Sequence, residues 1–223
     1  MISYITTTIK ILSIITRPFP YICLKMSVVV PSLSVASLDA FWSMQDAGKK
    51  RETQLQRYES AGAPEAILRI IRIGGGPGMG VALENIARHG FAGTLLKRAK
   101  GKEETGYDHR VIVSSPSGEK TVNIEQKSSG LWGIEENSFR WQHLEIDHKW
   151  DMLLLAGIQT TGVDFWGMSR ANFIKAIEEG KATNQGNKKK ESSEGVWMEY
   201  KNVKEYTIPI RSTEELAAFA AAL

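Results

Sequence analysis

Cysteine is almost missing from this 223-residue chain. Cys23 is the only one, which excludes an intramolecular disulfide and any cysteine-rich zinc module. A body free of thiols fits a reducing compartment, so the expected location is cytoplasmic (or nucleoid/nuclear), with an N-terminal presequence as the open alternative. An excess of charge of either sign is lacking too. The formal net charge is +3, and Lys10, Arg17 and Lys25 all precede the first acidic residue, Asp39. Those three cations account for the whole excess, so average charge makes no case for nucleic acid and only local patches would. Long apolar runs are also lacking. The Thr/Ile-rich stretch before Val30 is interrupted by Thr, Lys10 and Arg17-Pro18-Phe19-Pro20, which is too broken for a membrane span, and no membrane partner is expected. Lys10 lies inside that stretch instead of ahead of it, against the order of a secretory signal. Residues 1–36 are therefore set aside as an N-terminal extension, disordered or a presequence. No internal repeat is visible.

Residues 37–223 read as one domain. Ser37 is placed to cap an amphipathic helix carrying Leu38, Phe41 and Trp42, and the polar stretch Lys49 to Tyr58 behind it reads as solvated. Ala66 to Ile73 is apolar enough for a short strand or a buried helix. Gly74 to Gly80 lacks the Gly-Lys-Ser/Thr ending of a phosphate-binding loop and reads as a flexible linker. Gly80 to Phe91 is a compact helix with a glycine stop, and it carries Glu84.

Asp108 opens a strand, Pro116 and Gly118 mark a turn, and Thr121 to Lys127 returns as the second arm of a hairpin. In this phase Val122 and Ile124 face the core, while Asn123, Glu125 and Lys127 share the other face. Phe139, His143, Ile146 and Trp150 recur at helical spacing behind Asn137-Ser138, which predicts a helix and a packing role there for His143 and His148. Met152 to Ile158 is a continuous apolar run, the mark of a strand buried on both faces, with Val163 to Met168 as its neighbour. A short helix behind Ser169, a lysine-rich loop over 181–195, a strand at Val196 to Tyr200 and a closing helix behind Ser212 complete the chain. The fold class expected is α/β, a mixed central β-sheet flanked by helices.

If Asp108 lies across from Glu125, two carboxylates and the Lys127 amine meet at one point. Paired carboxylates suit a hard cation such as Mg²⁺, and an adjacent ammonium suits a phosphate or a water losing its proton. That is the chemistry of phosphodiester hydrolysis. Leu144-Glu145-Ile146-Asp147-His148 looks like the opening of an HNH nuclease, but that site requires a later histidine and His148 is the last in the chain.

A helix with Gly-x-x-x-Glu, a hairpin bearing Asp108 and Glu125-Gln126-Lys127, then a buried strand, resembles the PD-(D/E)xK nuclease superfamily, most closely type II restriction endonucleases. The similarity runs from about Gly80 to Trp166. It implies a restriction-endonuclease-like core over about 80–166, with 167–223 as a DNA-recognition part. It also implies that Asp108 and Glu125 hold Mg²⁺, that Glu84 adds a ligand through water, and that Lys127 acts on the attacking water. The implied substrate is double-stranded DNA, cut sequence-specifically by a homodimer. The alternatives are a junction-resolving or repair nuclease of the same superfamily, or a catalytically inactive DNA-binding module. Arg140, Gln142, Asn184, Gln185, Lys188 and Lys189 are the candidates for DNA contacts. Two positions depart from the pattern: Tyr107 stands where the family has Pro, and Gln126 stands where an apolar residue is usual, which implies either looser packing behind the motif or a polar contact there.

Overall fold

The structure, a computed structural model, describes residues 53–74, 77–99, 106–115, 118–133, 135–185 and 195–223, with the pairs 6–7 and 28–29. The chain divides into two compact units, Met1–Arg51 and Glu52–Leu223. In the first, β1 (Thr6–Thr7) pairs antiparallel with β2 (Val28–Val29). The rest of the N-terminal extension, the helix expected behind Ser37, the basic run at Lys49 to Arg51, and Lys188 and Lys189 lie outside the described residues.

The second unit opens with helices α1 (Gln54–Ser60), α2 (Glu65–Arg72) and α3 (Pro77–Gly90). Strands β3 (Leu96–Lys97), β4 (His109–Ser115), β5 (Gly118–Gly130), β6 (Arg140–Leu144), β7 (Met152–Ile158) and β8 (Val163–Ser169) follow. Helix α4 (Arg170–Glu178), strands β9 (Ala182–Asn184) and β10 (Val196–Glu199), helix α5 (Tyr200–Val203), strand β11 (Ile208–Pro209) and helix α6 (Thr213–Ala221) close it.

The central sheet is mixed and six-stranded, in the order β11-β8-β7-β5-β4-β3. β4 and β5 form the hairpin, with His109 opposite Ile124 and Val111 opposite Val122. β7 runs parallel to β5, placing Leu153 beside Glu125 and Leu155 beside Lys127. Every residue of β7 is buried, as its unbroken apolar sequence requires. Both faces of the sheet are covered. Val111, Val122, Ile124, Met152 and Leu154 pack with Leu216 and Ala220 of α6, while Leu153, Leu155 and Met168 pack with Phe139, Trp141 and Trp150. α3 gives Leu83 to the second group and Ala87 to the first.

Local chemistry sets the helix ends. The Ser169 hydroxyl accepts the Asn172 N–H at 3.1 Å to start α4, and Gly180 at φ +69° stops it. The Ser212 hydroxyl accepts the Glu215 N–H at 3.2 Å to start α6. The Ala66 to Ile73 stretch resolves as helix α2, which buries Ile67 and Ile71 one turn apart. α3 begins at Pro77, earlier than the glycine linker suggested.

Two expectations are corrected. The segment after Ser138 forms strand β6, part of a small antiparallel sheet in the order β6-β10-β9. Phe139 and Trp141 alternate inward across Arg140, which is strand phase. His143 at φ +57° and a register shift between Val196 and Met198 of β10 then form a bulge that returns Leu144 to the core. His143 is accordingly exposed instead of packed. Tyr58, expected in a solvated stretch, is fully buried: its hydroxyl donates to Ile158 O and accepts the Leu131 N–H. Among the described residues, no helix is long and apolar enough to cross a membrane.

Candidate active site

The hairpin brings Asp108 to Glu125. Asp108 sits just before β4, gives its N–H to Ile124 O at 2.9 Å, and accepts the Gln126 N–H on Oδ2 at 2.9 Å. Asp108 thus bonds the backbone on either side of Glu125, through its N–H on one side and its carboxylate on the other. Glu125 is only 7% exposed, yet Lys127 Nζ reaches its Oε1 at 2.8 Å from two residues along the same strand face. Glu84 on α3 is partly buried and 3.6 Å from Arg88 one turn on, and its carboxyl feels the charges of Asp108 and Glu125.

Electrostatics ties the three carboxylates together. Burial pushes the Glu125 carboxyl up, the Asp108 charge pushes it further, and Lys127 and then His148 pull it back. Burial likewise raises Glu84, with Asp108 adding to the effect, Arg88 opposing it and Glu125 adding a little more. Mutual repulsion among these groups is relieved by a cation. Among the described residues no three His, Cys, Asp or Glu side chains stand close enough to form a ready-made cage. A Mg²⁺ site asks for less, since that ion is commonly held by one or two carboxylates with water and substrate phosphates. Asp108 and Glu125, with Glu84 behind them, are the matching oxygen donors.

Beneath the motif runs a polar chain that inspection of the motif alone misses. Gln126 is 6% exposed and packs on the Ile124 side of the sheet. Its Oε1 lies 2.9 Å from His109 Nε2, and His109 Nδ1 lies 3.0 Å from Arg88 Nη1. Arginine can only donate, so Nδ1 accepts and Nε2 carries the proton given to Gln126. Arg88 also donates to Asn85 at 2.6 Å. The polar contact anticipated at Gln126 is thus His109, and it links the motif strand to the helix that bears Glu84. Burial drives the His109 pKa down to about 4. Its place in the alternation with Val111 and Val113 was the available signal: a polar residue in core phase, one strand away from another.

The candidates for DNA contact group on the small sheet. Arg140 and Gln142 alternate with the buried Trp141 on β6, so they share the opposite face. Arg140 is ion-paired with Glu199 at 2.7 Å and lies 4.9 Å from the centre of the Trp132 ring and 5.7 Å from that of Trp197. Asn184 is exposed on β9, and the Gln185 side chain accepts the His143 N–H at 3.2 Å. No protein-family model matches this chain, and no curated protein matches it.

Proposed function

We propose that this protein is a Mg²⁺-dependent endonuclease of PD-(D/E)xK type, with a restriction-endonuclease-like core, that hydrolyses double-stranded DNA sequence-specifically. One observation carries the reading: Asp108 bonded to the backbone beside Glu125, and Glu125 ion-paired with Lys127, on the strand next to the buried parallel β7. The donor set and the mixed sheet around it support it further.

Asp108 and Glu125 would hold the metal, with Glu84 reaching it through water. Bound Mg²⁺ supplies a lowered pKa for the attacking water and charge neutralisation at the leaving oxygen. Lys127 orients that water, assists its deprotonation and offsets charge on the pentacovalent phosphate. Asp108, fixed by the Gln126 N–H, holds its place while Glu125 and Lys127 exchange partners. Arg140, Gln142, Asn184 and Gln185, and in the sequence Lys188 and Lys189, are the candidates for base-edge and phosphate contacts. Cutting both strands of a palindrome takes two sites, so the active form is a homodimer.

Linear duplex DNA incubated with the protein and Mg²⁺ should yield discrete fragments. Glu125→Ala and Lys127→Ala should each slow cutting by about a hundredfold or more. Preference for branched over linear duplex would instead assign a junction-resolving nuclease. DNA binding without cutting, unchanged by Glu125→Ala, would leave a binding module.

A further inference from the structure

The turn between β6 and β7, residues 145–151, is tied down from both ends. Arg170, at the start of α4, donates to the carbonyl of Ile146, to that of His148 at 2.8 Å and to that of Trp150 at 2.9 Å, and its guanidinium lies 4.8 Å from the centre of the Trp150 ring. Trp150 Nε1 in turn donates to Glu145 O at 2.9 Å. At the other end, Asp151 accepts the Asn123 N–H at 2.7 Å and returns its own N–H to Asn123 O at 2.8 Å. The Asn123 side-chain amide donates to Lys149 O at 3.2 Å. Strand alternation gives Asn123 the same face as Glu125 and Lys127, so the turn is fastened to the motif strand two residues before Glu125.

This scaffold holds His148 beside the segment that leads into Asp108. A side-chain carbon added to Gly106 (φ +85°) would stand 3.0 Å from His148 Cβ and Cγ, so the histidine lies against the segment leading into Asp108. The neighbouring Lys149 carbonyl takes the Asn123 amide, which ties the histidine's segment to the strand of Glu125. Glu145 Oε2 stands 2.8 Å from His148 Nε2, and the His148 side chain keeps 38% of its surface exposed. The imidazole thus lies beside the segment leading into Asp108, gripped on one nitrogen and partly open to solvent. Its position suits an incoming anion, and a charge-assisted hydrogen bond is the strongest kind a ring N–H can give a phosphate oxygen.

We propose that His148 is a phosphate-binding residue of this site, held on Nε2 by Glu145 and offering its other ring nitrogen to a phosphodiester oxygen of the strand being cut. Glu145 is the positioning residue that fixes the ring, and Arg170 fixes the turn beneath it. The assignment rests on the nuclease reading for the identity of that strand.

The test compares wild type, His148→Ala, His148→Asn and Glu145→Gln in steady-state cutting of a duplex with Mg²⁺, with thermal melts as the folding control. His148→Ala should lower kcat/KM at least tenfold with a clear rise in KM. His148→Asn, whose amide can still donate, should recover part of that loss, and Glu145→Gln should lose severalfold. His148→Ala cutting as wild type does, while Glu125→Ala cuts nothing, would overturn the His148 assignment and leave the nuclease reading standing. The second readout is independent of cleavage: imidazole NMR signals of His148 followed while a short duplex, and separately inorganic phosphate, is added without divalent ion. Movement of the His148 signals that is weakened in Glu145→Gln supports phosphate binding even if no DNA is cut. Signals that stay fixed under both additions overturn it.

Discussion

Gln126 is a polar side chain at a core position, and it is accommodated there by a partner on the neighbouring strand, His109. The His109 ring donates to it and accepts from Arg88, so one buried chain fixes the strand of Glu125 and the helix of Glu84 together. Gln126 Nε2 has no hydrogen-bond partner among the described residues, which leaves the pair less than fully satisfied. Replacing the residue with the apolar type usual in this motif therefore carries a cost: Gln126→Leu strands the His109 Nε2–H in an apolar setting. We expect it to lower the unfolding free energy by about 1–3 kcal/mol, read from urea melts; an unchanged midpoint would show that the bond contributes nothing. The same histidine sets a pH dependence. Its folded pKa of about 4 lies below the ordinary histidine value of 6.5, so below 6.5 the unfolded chain takes up the proton first. Stability conferred by the neutral ring is full above that value and declines as pH falls toward 4, by on the order of 3 kcal/mol. Glu84 and Glu125 act in the opposite sense. Their carboxyls are raised, so the penalty on their charged forms stands at high pH and is relieved as pH falls through the raised values. Comparing melts of wild type and His109→Gln across pH 4 to 7 separates the two, and the variant should show the flatter acid-side slope.

At the scale of elements, the exit of the motif strand is held by α1. Tyr58 joins Leu131 N–H to Ile158 O, and Arg57 donates to Leu131 O at 2.6 Å. Tyr58→Phe leaves both buried backbone groups without that partner and should cost about 1–3 kcal/mol in denaturant melts. β7 is fitted as closely on its inner face. A methyl at Gly157 would meet the Phe139 ring at 2.5 Å, so Gly157→Ala should destabilise by about 1–3 kcal/mol through overpacking, with a lower melting temperature as the readout. How far these elements were legible varies with their pattern. β4, β5 and β7 declare themselves because valine and isoleucine alternate in the first two and the third is apolar without a break. β6 misleads because Phe139, His143, Ile146 and Trp150 fall by coincidence at helical spacing, while the true signal, Phe139 and Trp141 inward, lasts only until the bulge at His143. Tyr58 sits in a polar sequence, and its burial is decided by two backbone groups a hundred residues or less away in sequence, which no local window contains.

For the Glu52–Leu223 unit as a whole, a sheet covered on both faces leaves the carboxylates at the edge of a packed interior, which accounts for a Glu125 at once buried and paired. Asp108, Glu125 and Lys127 could be found in the sequence because the hairpin phase alone puts them together. Arg88, His109 and His148 could not be assigned their places, since each reaches the site through a contact between separate elements. The small sheet β6-β10-β9 carries Arg140 and Gln142 on one strand and Asn184 on another, in opposite phase across the sheet. The measurement that bears most directly on the whole proposal is digestion of a linear duplex by wild type and Glu125→Ala, each with Mg²⁺ and with chelator. Discrete fragments from wild type with Mg²⁺, and intact DNA in the other three samples, are the predicted result. Intact DNA in all four, or equal cutting by the two proteins, would contradict it.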